Sequence, residues 1–336
     1  MKTILRCSAV ALALLILCGC TKPVNDPADT TAPTENPTIS TTAPTAPVQT
    51  GWVTVDGKTY YYLRDGSCMV GKVQISGSTY YFDDNGILQT GWVDLDGKRF
   101  YFADTGMLTG WTQVEGKQYY FLPDGAMAQG QVQIDGKNRF FTSEGAEVLV
   151  VNPWNAVPDG YDPDLVALGE PLAQDGSRVS RVCYDALVQM LNDCNKECPT
   201  VYVISSYRTY DYQAGLFENR IQRFQNEGYS REEAETLAAA VVARPGTSEH
   251  HLGLAVDIID TRSWDLTEVQ ATLPGQQWLM ENCWRYGFIL RYPEGTTDST
   301  GIIYEPWHYR YVGTELAKEL YDANLTLEQY LENLTN

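Results

Sequence analysis

The chain has 336 residues, room for two domains or for three if one is small. Hydrophobic residues make up 43% and charged residues 20%, values of a globular protein rather than a membrane channel, while 22 Tyr and 28 Gly point to an aromatic, turn-rich segment. With 43 acidic against 24 basic residues the formal charge is −19, a field that repels polyanions and excludes nucleic acid as a partner.

Lys2 and Arg6 precede an apolar run from Ala9 to Leu17. The run is shorter than the ~20 residues of a membrane-spanning helix, so residues 1–20 read as a signal peptide. It closes on Leu17-Cys18-Gly19-Cys20, which resembles the bacterial lipobox, where a small residue precedes the cysteine that is lipidated. The resemblance implies Cys20 as that cysteine and a membrane anchor; an ordinary secretory signal is the alternative. Between residues 21 and 50 half the positions are Thr or Pro and none is aromatic, the composition of an extended, disordered spacer. Beyond the signal and Cys20, five cysteines remain: Cys68, Cys183, Cys194, Cys198 and Cys283. An odd number leaves at least one thiol unpaired. Cys183, Leu187, Leu191, Cys194 and Cys198 share a helical stripe, so burial in a core and disulfide bridging both stand open.

Residues 51–148 repeat. Gly51-Trp52, Gly71-Lys72, Gly91-Trp92, Gly110-Trp111 and Gly130-Gln131 recur at intervals of 20, 20, 19 and 20 residues. Each unit continues with an alternating strand, a two-residue turn (Asp56-Gly57, Ser76-Gly77, Asp96-Gly97, Glu115-Gly116, Asp135-Gly136) and an aromatic strand. Such turns predict hairpins, because both central residues need positive φ. One hairpin is marginal alone, so five are expected to stack into an all-β solenoid. The pattern resembles the choline- and glucan-binding repeats of Gram-positive surface proteins. That resemblance implies binding of a cell-wall polymer, with Trp52, Trp92 and Trp111 as caging aromatics for a cation; Lys72 and Gln131 depart from it.

Residues 149–336 open with a Pro-rich junction, Asn152 to Pro163, after which helix and strand alternate as an α+β domain. Apolar spacing predicts a helix over 178–197, and Val201 to Ser205 a strand. Ser230 and Glu233 predict a capping box opening a helix that stops before Pro245-Gly246. A strand over 252–259, a helix over 275–286 ended by Gly287 and a strand over 307–312 follow.

The chain has three histidines, two in the block SEHHLGLAVDII (248–259) and one in EPWHYRYVG (305–313). Asp257 lies inside an apolar run, where an ionised carboxylate is costly unless it is paired or binds metal. Glu305 precedes His308 by three residues, so one turn presents a carboxylate and an imidazole to the same point. Two histidines and one carboxylate leave the fourth position of a tetrahedral Zn²⁺ to water, the catalytic arrangement, and a further carboxylate can take up a proton.

The blocks SEHHLGLAVD, EPWHYRYVG and SSYRTYDYQ (205–213) resemble those of the VanY-type zinc D-alanyl-D-alanine carboxypeptidases, from about Asn152 to the C-terminus. The resemblance implies a hedgehog/D-Ala-D-Ala peptidase-like α+β fold. It implies His250, Asp257 and His308 as zinc ligands, Glu305 as general base, and Arg208 as the cation that holds the oxyanion or a substrate carboxylate. Gln213 and Ser248 match positions lining the substrate pocket, and Trp307 packs between base and ligand. The expected function is zinc-dependent removal of the terminal D-alanine from peptidoglycan stem peptides, by a lipoprotein at the wall of a Gram-positive bacterium. An L,D-carboxypeptidase or an endopeptidase on the same scaffold, and an inactive wall-binding surface protein, are the alternatives.

Overall fold

The computed structural model describes residues 50–335, so the signal peptide, the lipobox with Cys20 and nearly all of the Thr/Pro spacer lie outside the described residues. Among the described residues no helix is long and apolar enough to cross a membrane.

Five antiparallel hairpins follow one another: Gly51–Val55 with Lys58–Tyr62, Gly71–Ile75 with Ser78–Phe82, Gly91–Leu95 with Lys98–Ala103, Gly110–Val114 with Lys117–Phe121, and Gly130–Ile134 with Lys137–Phe141. Every tip is a two-residue turn with both residues at positive φ, from Asp56 (50°) and Gly57 (74°) to Asp135 (51°) and Gly136 (75°). Ser76 and Glu115 take the same conformation at 52°. That backbone matches the twist of the flanking strands. No hairpin has a core of its own. Instead, tilted ring contacts join neighbours: Trp52 meets Phe82, Trp92 meets Phe121 and Trp111 meets Phe141, each at 5.9 Å between centroids.

The α+β part is built on a four-stranded antiparallel sheet. Its strands are β1 (Val201–Ser205), β2 (Ala255–Asp260), β3 (Phe288–Leu290) and β4 (His308–Tyr311), in spatial order β1-β2-β4-β3. Strand alternation sorts the two faces. Val201, Val203, Val256, Ile258, Phe288 and Tyr309 point into the main core with α1 (Arg181–Glu197) and α4 (Pro274–Asn282). Asp257 and His308 therefore face the opposite side. Over that side lie α2 (Tyr210–Asn226) and α3 (Arg231–Val241), held together by Phe217, Ile221, Ala234 and Ala238.

The capping box at Ser230 forms with both hydrogen bonds, and Gly287 ends its helix at φ +80°. The strand expected over 252–259 begins later, at Ala255, because Glu249–Leu252 coils into a 3-10 turn. The helix α2 has no counterpart in the sequence reading. Cys183, Cys194 and Cys283 are buried and reduced, and Cys68 and Cys198 are free as well, so of the two open readings core burial holds and no disulfide occurs among the described residues.

Two further helices, α6 (Thr314–Ala323) and α7 (Leu327–Thr335), follow a short α5 (Thr297–Thr300). Leu316, Leu320, Leu327, Tyr330 and Leu331 pack with Phe140 and Val150, so the fifth hairpin and the C-terminal helices share one apolar cluster. At that contact a Cβ on Gly130 would sit 2.5 Å from Thr335 Oγ1, and the Thr335 hydroxyl accepts from Gln131 N at 2.9 Å.

Candidate metal centre and active-site cleft

Sheet register brings the metal-type side chains together. Asp257 on β2 is directly opposite His308 on β4, and on its other side opposite Ser205 of β1. Cross-strand partners project from the same face within ~4.5–5.5 Å at Cβ. His250 arrives from the 3-10 turn before β2. Gly253 closes that turn at φ +67°, where a Cβ would press on Leu165 at 2.8 Å. The His250 Nδ1 lies 2.7 Å from Ser206 O, which leaves Nε2 turned toward Asp257 Oδ2 at 3.4 Å. His308 presents Nδ1, 3.2 Å from Asp257 Oδ1 and 3.5 Å from Glu305 Oε2.

The three donor atoms of His250, Asp257 and His308 lie within 4.8 Å of one another and all three residues are buried. Asp257 Oδ1 is buried without a hydrogen bond. An uncompensated carboxylate oxygen beside two imidazole nitrogens fits a divalent cation, and the N/N/O donor set with a further position open suits catalytic zinc.

Arg208 leaves the end of β1 and donates to Asp257 Oδ2 at 2.5 Å, to Ser205 Oγ at 2.9 Å and to Gln213 Oε1 at 3.3 Å. Gln213 is fully buried and also donates to Ala243 O at 2.8 Å, so its amide fixes Arg208 against α3's end rather than standing free. Ser248 is buried and lines the cleft. These residues, with Glu305 and Trp307, border a cleft of about 660 Å³ whose far wall is α2 and the end of α3. His251, which the motif left without a role, turns away from the donors. Its Nδ1 meets Arg208 O at 2.8 Å and its Nε2 accepts from Gly246 N.

Residues 176–314 match the VanY family of D-alanyl-D-alanine carboxypeptidases. A D-alanyl-D-alanine carboxypeptidase of Enterococcus faecalis is 38% identical over 185 residues, 55% of this chain and 65% of the relative, so the chain spans just under two thirds of that relative's length. A solved D,D-pentapeptidase VanY of a VanB-type vancomycin-resistance cassette, in complex with Zn(II), is 38% identical. The match covers 55% of this chain and 97% of that one, with a TM-score of 0.47. The chain belongs to the VanY family. The LD-carboxypeptidase LdcB matches over 61% of this chain and 94% of its own at 33% identity and a TM-score of 0.50. Residues 49–88 and 108–154 match the choline-binding repeat.

Charge in the VanY site follows burial and neighbours. Burial raises the Glu305 carboxyl to about 7. Burial, reinforced by Arg208, lowers His250 to about 4, so this imidazole is neutral and ready to bind metal. Burial works against protonated His308 too, but the Asp257 and Glu249 carboxylates beside the ring outweigh it and hold it up at about 9. Burial also opposes ionisation of Asp257, yet His250 and Arg208 keep it well below the usual carboxylate range.

Glu249, an unassigned spacer in the sequence motif, is a site residue that sequence reasoning missed. Its side chain is wholly buried, with Oε2 3.5 Å from His308 Nε2 and Oε1 taking Arg291 Nε at 2.8 Å and Arg310 Nη1 at 2.9 Å. The only signal in the sequence was a third acidic residue beside the histidine pair.

In the repeats, Trp52 meets Tyr61 and Tyr80 edge-on at 5.2 and 4.8 Å, and Trp92 meets Tyr101 and Tyr119 in the same way at 5.2 and 5.1 Å. Trp111 meets Tyr120 at 5.1 Å. Two of these rings already face a cation of the chain itself: Arg99 lies 4.8 Å over Trp92 and Arg139 5.6 Å over Trp111. Among the described residues none does so at Trp52, which is 43% exposed. Lys72, which stands at the corresponding position of the second repeat, lies 4.6 Å over Phe100.

Proposed function

We propose that this VanY-family carboxypeptidase is a zinc enzyme that removes the C-terminal D-alanine from peptidoglycan stem peptides. The observation that carries the reading is the convergence of His250, Asp257 and His308 beside Glu305 at the floor of an open cleft. Zinc held by those three would polarise the scissile carbonyl and activate a water. Glu305, 3.5 Å from His308 Nδ1 and raised to about 7, is placed to take the proton of the attacking water and to return it to the departing amine. Arg208 holds Asp257 in place and offers its guanidinium to the negative charge that develops on the carbonyl oxygen. Tyr292 packs on His308, its ring 4.8 Å from the imidazole, and the buried Trp307 lines the cleft beside it.

The repeats place the enzyme at its polymer. The match to choline-binding repeats supports a wall ligand with a cationic group, and the Trp52 cage is the one open to it. A lipid on Cys20, with residues 21–50 as spacer, would hold the whole at the outer face of the membrane.

Removal of an L,D-linked terminal residue is the second reading, favoured by the likeness to LdcB. Mass spectrometry of pentapeptide and tetrapeptide muropeptides incubated with the zinc-loaded protein tests both. Pentapeptide converted to tetrapeptide supports D,D cleavage, tetrapeptide converted to tripeptide supports L,D cleavage, and loss of neither refutes the carboxypeptidase reading.

A further inference from the structure

The cleft contains two cations that the chemistry above does not use. The helix α2 presents Gln213, Leu216, Arg220 and Arg223 to it, at spacings that keep them on one face. Gln213 touches Arg208, so this face runs outward from the reacting centre. At about 1.5 Å per residue, Arg220 and Arg223 stand roughly 10 and 15 Å further along the helix axis.

Neither guanidinium makes a hydrogen bond or an ion pair among the described residues. Elsewhere the chain spends its carboxylates freely: Arg181, Arg231, Arg262, Arg291 and Arg310 each grip at least one. The one acidic side chain within α2 beyond its first turn, Glu218, points the other way and is bonded to Arg231 at 2.6 Å. In a chain of net charge −19, two neighbouring arginines that reach one cleft without an ion pair leave their donors free for a bound anion. Arg220 is also partly buried, and burial together with Arg223 pulls its pKa below the ordinary arginine value. Glu227 and Glu305 offset this only in part and neither is bonded to the pair, and like charges held side by side with free donors are a site prepared for an anion.

We infer that Arg220 and Arg223 form a carboxylate subsite of the cleft that binds an anionic group of the peptide substrate. The inference rests on the carboxypeptidase reading and specifies how the substrate is held. A peptide offers two such groups: the terminal carboxylate that every carboxypeptidase substrate carries, and the side carboxylate of an acidic residue on the acyl side of the bond that breaks.

Steady-state kinetics of the zinc-loaded full chain on two peptides tells them apart. The peptides share a C-terminal D-alanine and differ at one acyl-side residue, a free side carboxylate in one and the carboxamide in the other. The variants are Arg220→Gln, Arg223→Gln and their combination. The expected result is a KM raised tenfold or more in the double variant, with kcat within twofold. A rise on both peptides identifies the terminal carboxylate, and a rise confined to the acidic peptide identifies the side carboxylate. An unchanged KM on both overturns the subsite, as does a loss confined to kcat. Calorimetric binding of the same peptides to Glu305→Gln protein, with and without the arginine substitutions, reads the subsite independently of turnover. Arginine-dependent binding in a protein whose wild type cleaves neither peptide would sink the carboxypeptidase reading and keep the subsite. Turnover with arginine-independent binding would do the reverse.

Discussion

Glu249→Gln isolates the contribution of a carboxylate that touches no substrate. The substitution preserves shape and removes charge, so no cavity opens. Oε1 of Glu249 takes one hydrogen bond from each of two buried arginines, and Oε2 lies 3.5 Å from His308 Nε2 without any hydrogen bond of its own. Removing one partner of a buried ion pair costs ~3–5 kcal/mol. Here the lower end applies. Arg291 keeps Glu328 through bonds of 2.8 and 2.5 Å, and Arg310 keeps the carbonyls of Leu149 and Tyr311. A loss of ~3 kcal/mol lowers the melting temperature by roughly 6–12 °C for a unit of 150–250 residues. The second effect is on metal. A carboxylate that orients a ligating imidazole is worth about 10–100-fold in affinity, so zinc binding measured by chelator competition should weaken by that factor. Glu328→Gln is the control. It takes an anion from Arg291 but leaves Glu249 against His308, so it should lower stability and leave zinc affinity within twofold. If Glu249→Gln melted early yet bound zinc as tightly as the wild type, Glu249 would be only the counter-ion of two arginines, and the alignment of His308 would have another cause.

Glu305→Gln should keep zinc affinity within twofold while kcat on a soluble pentapeptide falls by about 10²–10⁴, the usual contribution of a general base; undiminished turnover would remove Glu305 from that role. Zinc affinity should rise with pH. His308 in the metal-free protein is held at about 9 and must be neutral to bind metal, so one proton leaves on binding and affinity grows about tenfold per pH unit between pH 7 and 9; a flat chelator-competition profile across that range contradicts the placement of His308 among the ligands. Tetramethylammonium titrated against the indole fluorescence of the full chain should act at the Trp52 cage, and Trp52→Ala should abolish the response, since Trp92 and Trp111 already face arginines; an undiminished response in that variant disposes of the open-cage argument. Truncation should divide the array: removing hairpins one to four leaves soluble-peptide turnover intact and weakens retention on purified wall, whereas removal through residue 148 strips Phe140 from its cluster with α6 and α7 and lowers the melting temperature. Equal stability of the two truncations would show that the fifth hairpin adds nothing to the peptidase.

Local rules made much of this molecule legible. Asp-Gly and its variants demand positive φ, and every hairpin tip obeys. The Ser230–Glu233 capping box and the αL glycine at Gly287 are equally local, and both are present. The site was legible because its residues are packed into short blocks, one of them a strand whose buried carboxylate needed a partner. Long-range features escaped. The helix α2 buries only Gln213, Phe217 and Ile221 among 17 residues and exposes Tyr210 and Tyr212, so its apolar stripe is too thin to stand out; packing on α3 is what holds it. Glu249 reads as a spacer until the arginines of β4 and the segment after β3 close over it, 61 and 42 residues away. The cluster shared by Phe140 and Leu331 likewise joins positions that no periodicity connects.

That shared cluster bears on how the proposed wall binding would act on catalysis. A flexible linker lets a tethered enzyme search a volume set by linker length. Here the last hairpin is continuous with the apolar cluster of α6 and α7. Glu328 on α7 ties Asn152 at the end of the array to Arg291, which holds Glu249 behind His308. The cleft is thus mounted on the array at a fixed orientation, and capture of a wall polymer by the repeats would present only those peptides that lie at the matching distance and direction. On this geometry the array would set which stem peptides are reached more than how many. Loosening the mount by Phe140→Ala, which withdraws the array's ring from that cluster, together with a Gly/Ser segment at the exposed junction near Asp159, should broaden the distribution of cleaved positions on intact wall and leave kcat/KM on soluble peptide unchanged at a temperature where both parts stay folded. An unaltered cleavage pattern on wall would mean that the polymer, rather than the protein, supplies the search.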